Sequence, residues 1–197
     1  NKFIAAAKTN RFTDVSWDFA GGAFTVGANA KPPQPLVVNG ALDVGLFGGV
    51  LQDTDGRRIP IAVRATTFFE STSFRLDGAE PRQINLPPKA SIAGLYRGYL
   101  IATLQETWRG HPQGALIAYP LSETDSENPN VTVLFAPNPR QSIEGVSITH
   151  DAIIVAGYEN VRGRLLRIAR NGADWSTTTI ALPENGSVGM AGSSPTE

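Results

Sequence analysis

The chain has 197 residues, 41% hydrophobic and 18% charged, which suits one compact core or two small ones. Its 17 Lys and Arg stand against 18 Asp and Glu for a net charge of -1, so no field draws it to nucleic acid or to an anionic membrane surface. Without cysteine it has no disulfide, thiolate metal site or cysteine nucleophile, and no apolar run approaches the roughly 18 residues of a membrane span, so a soluble chain is expected.

The opening Asn1-Lys2-Phe3-Ile4-Ala5-Ala6-Ala7 is too short for a signal-peptide core. Because the chain starts at Asn1 and closes on Gly192-Ser193-Ser194-Pro195-Thr196-Glu197, it is expected to be a piece of a longer one. Lys31-Pro32-Pro33-Gln34-Pro35 reads as an extended connector. Gly45-Leu46-Phe47-Gly48-Gly49 lacks the lysine and hydroxyl residue of a phosphate loop and reads as a bend in a strand. Asp53, Asp55 and Gly56 start like a calcium loop, but Arg57 follows and the final glutamate is missing, so a hairpin turn at Asp55-Gly56 is the favoured reading.

Beyond this point short β-branched or aromatic runs follow one another between Gly, Pro, Asn and Asp. They are Ser91–Leu95, Tyr99–Leu104, Ala115–Tyr119, Val131–Phe135, Ile143–Ile148, Ala152–Tyr158, Arg164–Ile168 and Thr177–Leu182, all predicted strands. Val161–Arg170 is the nearest candidate for a helix, yet Gly163 interrupts it and Asn171-Gly172 closes it like a hairpin, so it too reads as strand. Ser122–Asn130 reads as an exposed acidic loop carrying Glu123, Asp125 and Glu127.

Three predicted strands end on an apolar residue and a proline, at Pro87, Pro137 and Pro183, spaced 50 and 46 residues apart. Each interval holds four strands, which is the period of a propeller blade, whereas an immunoglobulin-like sandwich lacks that fourfold grouping. The fold class expected is therefore all-β, a β-propeller segment of about four four-stranded antiparallel blades. Approximate blades run over 1–42, 43–88, 89–137 and 138–183, with the start of the next over 184–197. A four-stranded sheet has two apolar faces that only neighbouring sheets can bury, so an isolated arc is expected to self-associate.

Candidate chemistry is sparse. No Gly-x-Ser-x-Gly elbow occurs: Gly186-Ser187-Val188-Gly189 lacks the first glycine in register and Gly145-Val146-Ser147-Ile148-Thr149 the second. His111 and His150 read as a triad base or metal ligand on one view and as turn residues on the favoured one, since neither has a partner at a suitable spacing. Trp17, Trp108 and Trp175 read as core between blades more readily than as a stacking platform. Arg162, Arg164 and Arg167 face either a channel or a neighbouring domain, or else guard a strand edge, the favoured reading. Asn130-Val131-Thr132 and Asn185-Gly186-Ser187 match the glycosylation pattern and decide nothing. No catalytic, cofactor-binding or metal-binding residue is assigned.

From about Ile61 the sequence resembles the propeller domain of the prolyl oligopeptidase serine peptidase family, above all its bacterial branch. Four ordered stretches carry the match: Thr66-Thr67-Phe68-Phe69 with Ser73-Phe74-Arg75-Leu76; Glu106-Thr107-Trp108-Arg109 with Pro112-Gln113-Gly114-Ala115-Leu116-Ile117-Ala118; Val133-Leu134-Phe135-Ala136-Pro137 with Arg140-Gln141-Ser142-Ile143-Glu144-Gly145-Val146; and Glu159-Asn160-Val161-Arg162-Gly163-Arg164-Leu165. The first 50 to 60 residues match poorly. The resemblance implies a seven-bladed propeller set over an α/β-hydrolase domain of the same parent chain, whose Ser, Asp and His cleave short peptides after proline. The propeller then acts as a filter that admits small peptides. This piece would be non-catalytic and cofactor-free, in a cytoplasmic or, alternatively, periplasmic parent. A free-standing propeller or sandwich that binds peptide or carbohydrate is the rival reading.

Overall fold

A computed structural model of the chain describes residues 14–18, 23–27, 34–38, 42–78, 80–183, 188–190 and 192–196; for the first three stretches the description covers backbone only. The described chain is β-structure apart from one turn of 3-10 helix at Leu121–Glu123. It divides into two compact units, one of Asn1–Val50 with Ile59–Pro88, the other of Leu51–Arg58 with Lys89–Glu197.

The first unit holds two sheets. Strands β1 (Asp14–Asp18), β2 (Ala23–Gly27) and β3 (Gln34–Val38) form a three-stranded meander. Strands β4 (Gly45–Gln52), β5 (Arg58–Ala65), β6 (Ser71–Arg75) and β7 (Arg82–Gln83) form a four-stranded one. The second unit adds two four-stranded meanders: β8 (Ala90–Tyr96), β9 (Tyr99–Leu104), β10 (Leu116–Pro120) and β11 (Thr132–Phe135), then β12 (Gln141–Ile148), β13 (Ile153–Glu159), β14 (Arg162–Asn171) and β15 (Asp174–Ile180). The fourfold grouping expected from the sequence is thus present in three successive sheets, and the first sheet has three strands among the described residues. Of the expected connector, Gln34 and Pro35 belong to β3, and residues 31–33 lie outside the described ones.

Local chemistry explains where the chain reverses. Arg97-Gly98, with φ of 47° and 83°, links Tyr96 to Tyr99, which face each other in the ladder. Asn160-Val161, at 50° and 67°, links the paired Glu159 and Arg162 in the same way. Two-residue hairpins with both φ positive match the right-handed twist of strands. Asn and Gly adopt them easily, but the branched Val161 is strained there, and its exposed side chain makes up nothing by burial. The hairpin expected at Asn171-Gly172 falls one residue later: Asn171 pairs with Asp174, leaving Gly172-Ala173 as the turn, with Gly172 at φ 63°.

Within the second unit the two sheets share one buried cluster. Tyr96, Ile101, Leu116, Ala118 and Leu134 of the first sheet meet Ile148, Ile153, Val155 and Ile168 of the next, with Trp175 and Leu166 packed against them. This interlayer gathers the apolar halves of both alternating patterns, which is why each strand reads as a short apolar run. One point of close approach is Gly157, where an added Cβ would run into the backbone carbonyl oxygen of Ser142 on the paired strand β12.

Two substitutions separate these effects. Gly157→Ala forces β12 and β13 apart and should lower stability by about 2–3 kcal/mol, whereas Val161→Gly relieves the positive φ and should raise it by about 1 kcal/mol. Urea unfolding followed by circular dichroism reads both, and a neutral Gly157→Ala would contradict the packing described.

Candidate functional site

The first strands of the two sheets of the second unit, β8 and β12, run beside each other. Each carries a bulge at the same place: the pairing of β8 with β9 skips Ala93 between Ile92 and Gly94, and that of β12 with β13 skips Glu144 between Ile143 and Gly145. A bulge re-aims the extra residue and kinks its strand. Gly94 takes φ 152°, and a Cβ there would come within 2.8 Å of Ile148 Cδ1, so glycine lets the neighbouring first strand approach.

Between these strands, the β9 end and the 136–140 connection lies a cleft of about 680 Å³. Its walls are mostly neutral: Ser91, Gln105, Gln113 and Ser142 bring hydroxyls and amides, Pro137 and Ile143 apolar surface, and Glu144 is the one charged residue among its lining. Gly114, at φ 83°, sits under Pro137, whose Cγ would be 2.8 Å from an added Cβ. The apolar-proline ending of the fourth strand is therefore a packing element of the cleft wall. The Ser142 hydroxyl donates to Glu144 Oε1 at 2.9 Å and holds the carboxylate on the bulge.

A second arrangement joins the hairpin tips between first and second strands. Asp53, 1% exposed, accepts from Gly98 N at 2.8 Å through Oδ2 and from Thr54 N at 2.8 Å through Oδ1, with the Arg57 guanidinium 3.3 Å away. In the next tip the Tyr96 hydroxyl donates to Asp151 O at 2.9 Å, and Arg97 donates to Arg170 O at 2.8 Å. Arg170 itself lies over the Tyr99 ring at 4.7 Å, and Trp175 meets that ring edge-on at 5.5 Å. These contacts tie successive tips along one rim.

The residues singled out in the sequence fall as follows. His111 lies half-buried in a turn, its backbone paired with that of Trp108 and its ring 6.2 Å from the indole. His150, exposed in the β12–β13 turn, has Nδ1 2.8 Å from Asp151 Oδ1. Asp55 accepts from Arg57 N at 2.8 Å inside the Asp53–Arg57 turn, where Gly56 takes φ 83°. Among the described residues, no three His, Asp or Glu side chains gather as a metal set. Nor is any helix there long and apolar enough to cross a membrane.

Ser147 is part of β12, paired with Ile154, and is half-buried. Trp175 packs on the shared core as expected, Trp108 is half-buried against Tyr119, and the side chain of Trp17 lies outside the described residues. Glu123 accepts from Asn130 N at 2.7 Å, which ties the acidic loop together, and Thr124 within it is buried; Asn185-Gly186-Ser187 lies outside the described residues. The edge-guarding reading of Arg162, Arg164 and Arg167 is corrected. Their strand β14 is paired on both sides, so no edge is there to guard; Arg164 bonds Glu159 at 2.9 Å and Arg167 reaches Asp151 O at 3.5 Å. Sequence reading missed the burial of Asp53, because its partner Gly98 is 45 residues away and leaves no local signal.

Asp53→Ala removes a buried acceptor from Gly98 N and should cost about 1.5–3 kcal/mol. Hydrogen exchange should show faster exchange at Gly98 and in the β8–β9 hairpin, and unchanged protection there would contradict the rim.

No family model matches the chain. In sequence it is 28% identical over 163 residues to an uncharacterized peptidase of Sinorhizobium fredii (strain NBRC 101917 / NGR234), a match covering 77% of this chain and 22% of that protein. It is 24% identical over 106 residues to an uncharacterized peptidase of Rickettsia prowazekii (strain Madrid E), over 50% of this chain and 15% of that one. In fold it is similar to a post-proline cleaving enzyme from Rickettsia typhi, with a TM-score of 0.72 at 17% identity over 82% of this chain and 26% of that one. It is also similar to oligopeptidase B from Trypanosoma brucei, with a TM-score of 0.58 at 14% identity over 87% and 26%. The chain spans about a quarter or less of the length of these proteins. The resemblance to the prolyl oligopeptidase family, carried in the sequence by four ordered motifs, therefore extends to the course of the backbone.

Proposed function

We propose that the chain is a non-catalytic β-propeller segment, an arc of a seven-bladed ring, in a prolyl-oligopeptidase-like serine peptidase that cleaves short peptides after proline. The observation that carries this reading is the run of four-stranded meanders, two of which bury one core between them, in a chain whose fold follows about a quarter of a post-proline cleaving enzyme. In this role the segment has its α/β-hydrolase domain as partner in the same parent chain and short peptides as transient ligands. The first strands β8 and β12 line the passage, and the rim of tied hairpin tips keeps their spacing rigid. A cytoplasmic parent is the reading adopted, with the periplasm as the alternative.

The longest polypeptide encoded with these residues provides the test. It should contain a Gly-x-Ser-x-Gly segment followed by Asp and His, and hydrolyse a short proline-containing peptide while leaving a folded protein of the same sequence content intact. A polypeptide without that segment, or one that digests both substrates equally, would overturn the proposal.

A further inference from the structure

The two bulges share an apolar-x-Gly pattern, Ile92-Ala93-Gly94 in β8 and Ile143-Glu144-Gly145 in β12. The middle residue is the one that the two bulges leave unpaired, alanine at Ala93 and glutamate at Glu144. At Glu144 the same position carries a carboxylate, exposed and held by Ser142. It meets no cation among the described residues and stands in a cleft whose other lining residues are uncharged. Gln105 and Gln113, also in the lining, are exposed and carry side-chain amides that have no hydrogen-bond partner among the described residues.

From this arrangement we infer that the cleft between β8 and β12 is a binding site for the positively charged amino terminus of a short extended peptide, with Glu144 as the group that reads the charge. The inference deepens the peptide-filter reading and rests on it. A cleft of about 680 Å³ lies within the usual range for small-ligand sites. Its free amides match the alternating donors and acceptors of an extended backbone. An ammonium group donating to Glu144 forms a charge-assisted hydrogen bond to a carboxylate already aimed by Ser142, so the site loses little side-chain entropy on binding. A basic side chain satisfies the same carboxylate, and the choice between the two is an arm of the test.

The probes are tetra-alanine with a free amino terminus, its N-acetylated form, and N-acetylated tetra-alanine carrying one lysine, each titrated into the 197-residue chain and followed by amide NMR shifts. The free tetrapeptide should shift β8 and β12 resonances, and N-acetylation should weaken binding about three- to tenfold, as should Glu144→Gln and an ionic strength raised toward 1 M. Lysine binding as well as the free amine would support a cation site but overturn the preference for the terminus. Equal binding of the free and acetylated forms overturns the inference, as does no shift at β8 and β12 with any probe. Because acetylation alters the peptide alone, this arm does not depend on how the variant folds. Either negative result leaves the peptidase reading standing if the longer polypeptide cleaves peptides. Loss of that activity with the charge-dependent shifts retained removes the filter role and keeps the site.

Discussion

The apolar layer shared by the sheets β8–β11 and β12–β15 is the constraint on which the second unit depends. Neither sheet can hide both of its faces, and each of Ile101, Leu116, Ile153 and Ile168 is fully buried only because the other sheet lies against it. Full burial of one such side chain is worth about 1.5–3 kcal/mol, so the shared layer outweighs any single hydrogen bond at the rim. Once the sheets stack in this way, their first strands must lie side by side, and the cleft between β8 and β12 follows from the packing.

Close approach of two first strands sets a second demand, met by glycine and by the bulges. A side chain at Gly94 would strike Ile148, and one at Gly145 would press on Met190 at 3.3 Å. Each glycine follows a bulged residue, so the same local device that makes room for the neighbour also turns one side chain away from the ladder. The hairpin tips show the converse arrangement. There a few polar groups, Asp53 to Gly98 N and Tyr96 to Asp151 O, bridge elements 45 and 55 residues apart in sequence. Being directional, they fix spacing where the apolar layer fixes only proximity.

Strand identity and the fourfold grouping were legible because both are written locally: β-branched runs such as Ile153–Glu159, glycine and asparagine at turns, and a proline that follows the last strand of each four-stranded sheet, at Pro87 after Gln83, Pro137 after Phe135 and Pro183 after Ile180. Pro137 has a structural role besides ending the strand, since it packs on Gly114. Contacts that join distant segments were not legible. Asp53 looked like one residue of a turn, and nothing near it in sequence announces a buried acceptor for Gly98. The arginines of β14 misled for a related reason. A charged, alternating strand looks like an edge, and only the observed pairing with both β13 and β15 shows it to be interior. The bulges escaped as well, because one extra residue in a strand leaves the apolar pattern nearly intact.

These observations also account for a backbone similar to a post-proline cleaving enzyme at 17% identity. The shared layer asks only for apolar residues of fitting volume at alternating positions, a demand that many sequences satisfy. The glycines beside the bulges are held more tightly, since any side chain there meets a neighbour. Between the two stands the bulged residue itself, which points into open space and carries neither demand. Packing leaves that position free to vary, so a difference in charge there, such as Glu144 against Ala93, changes what the cleft attracts without disturbing the fold that builds it.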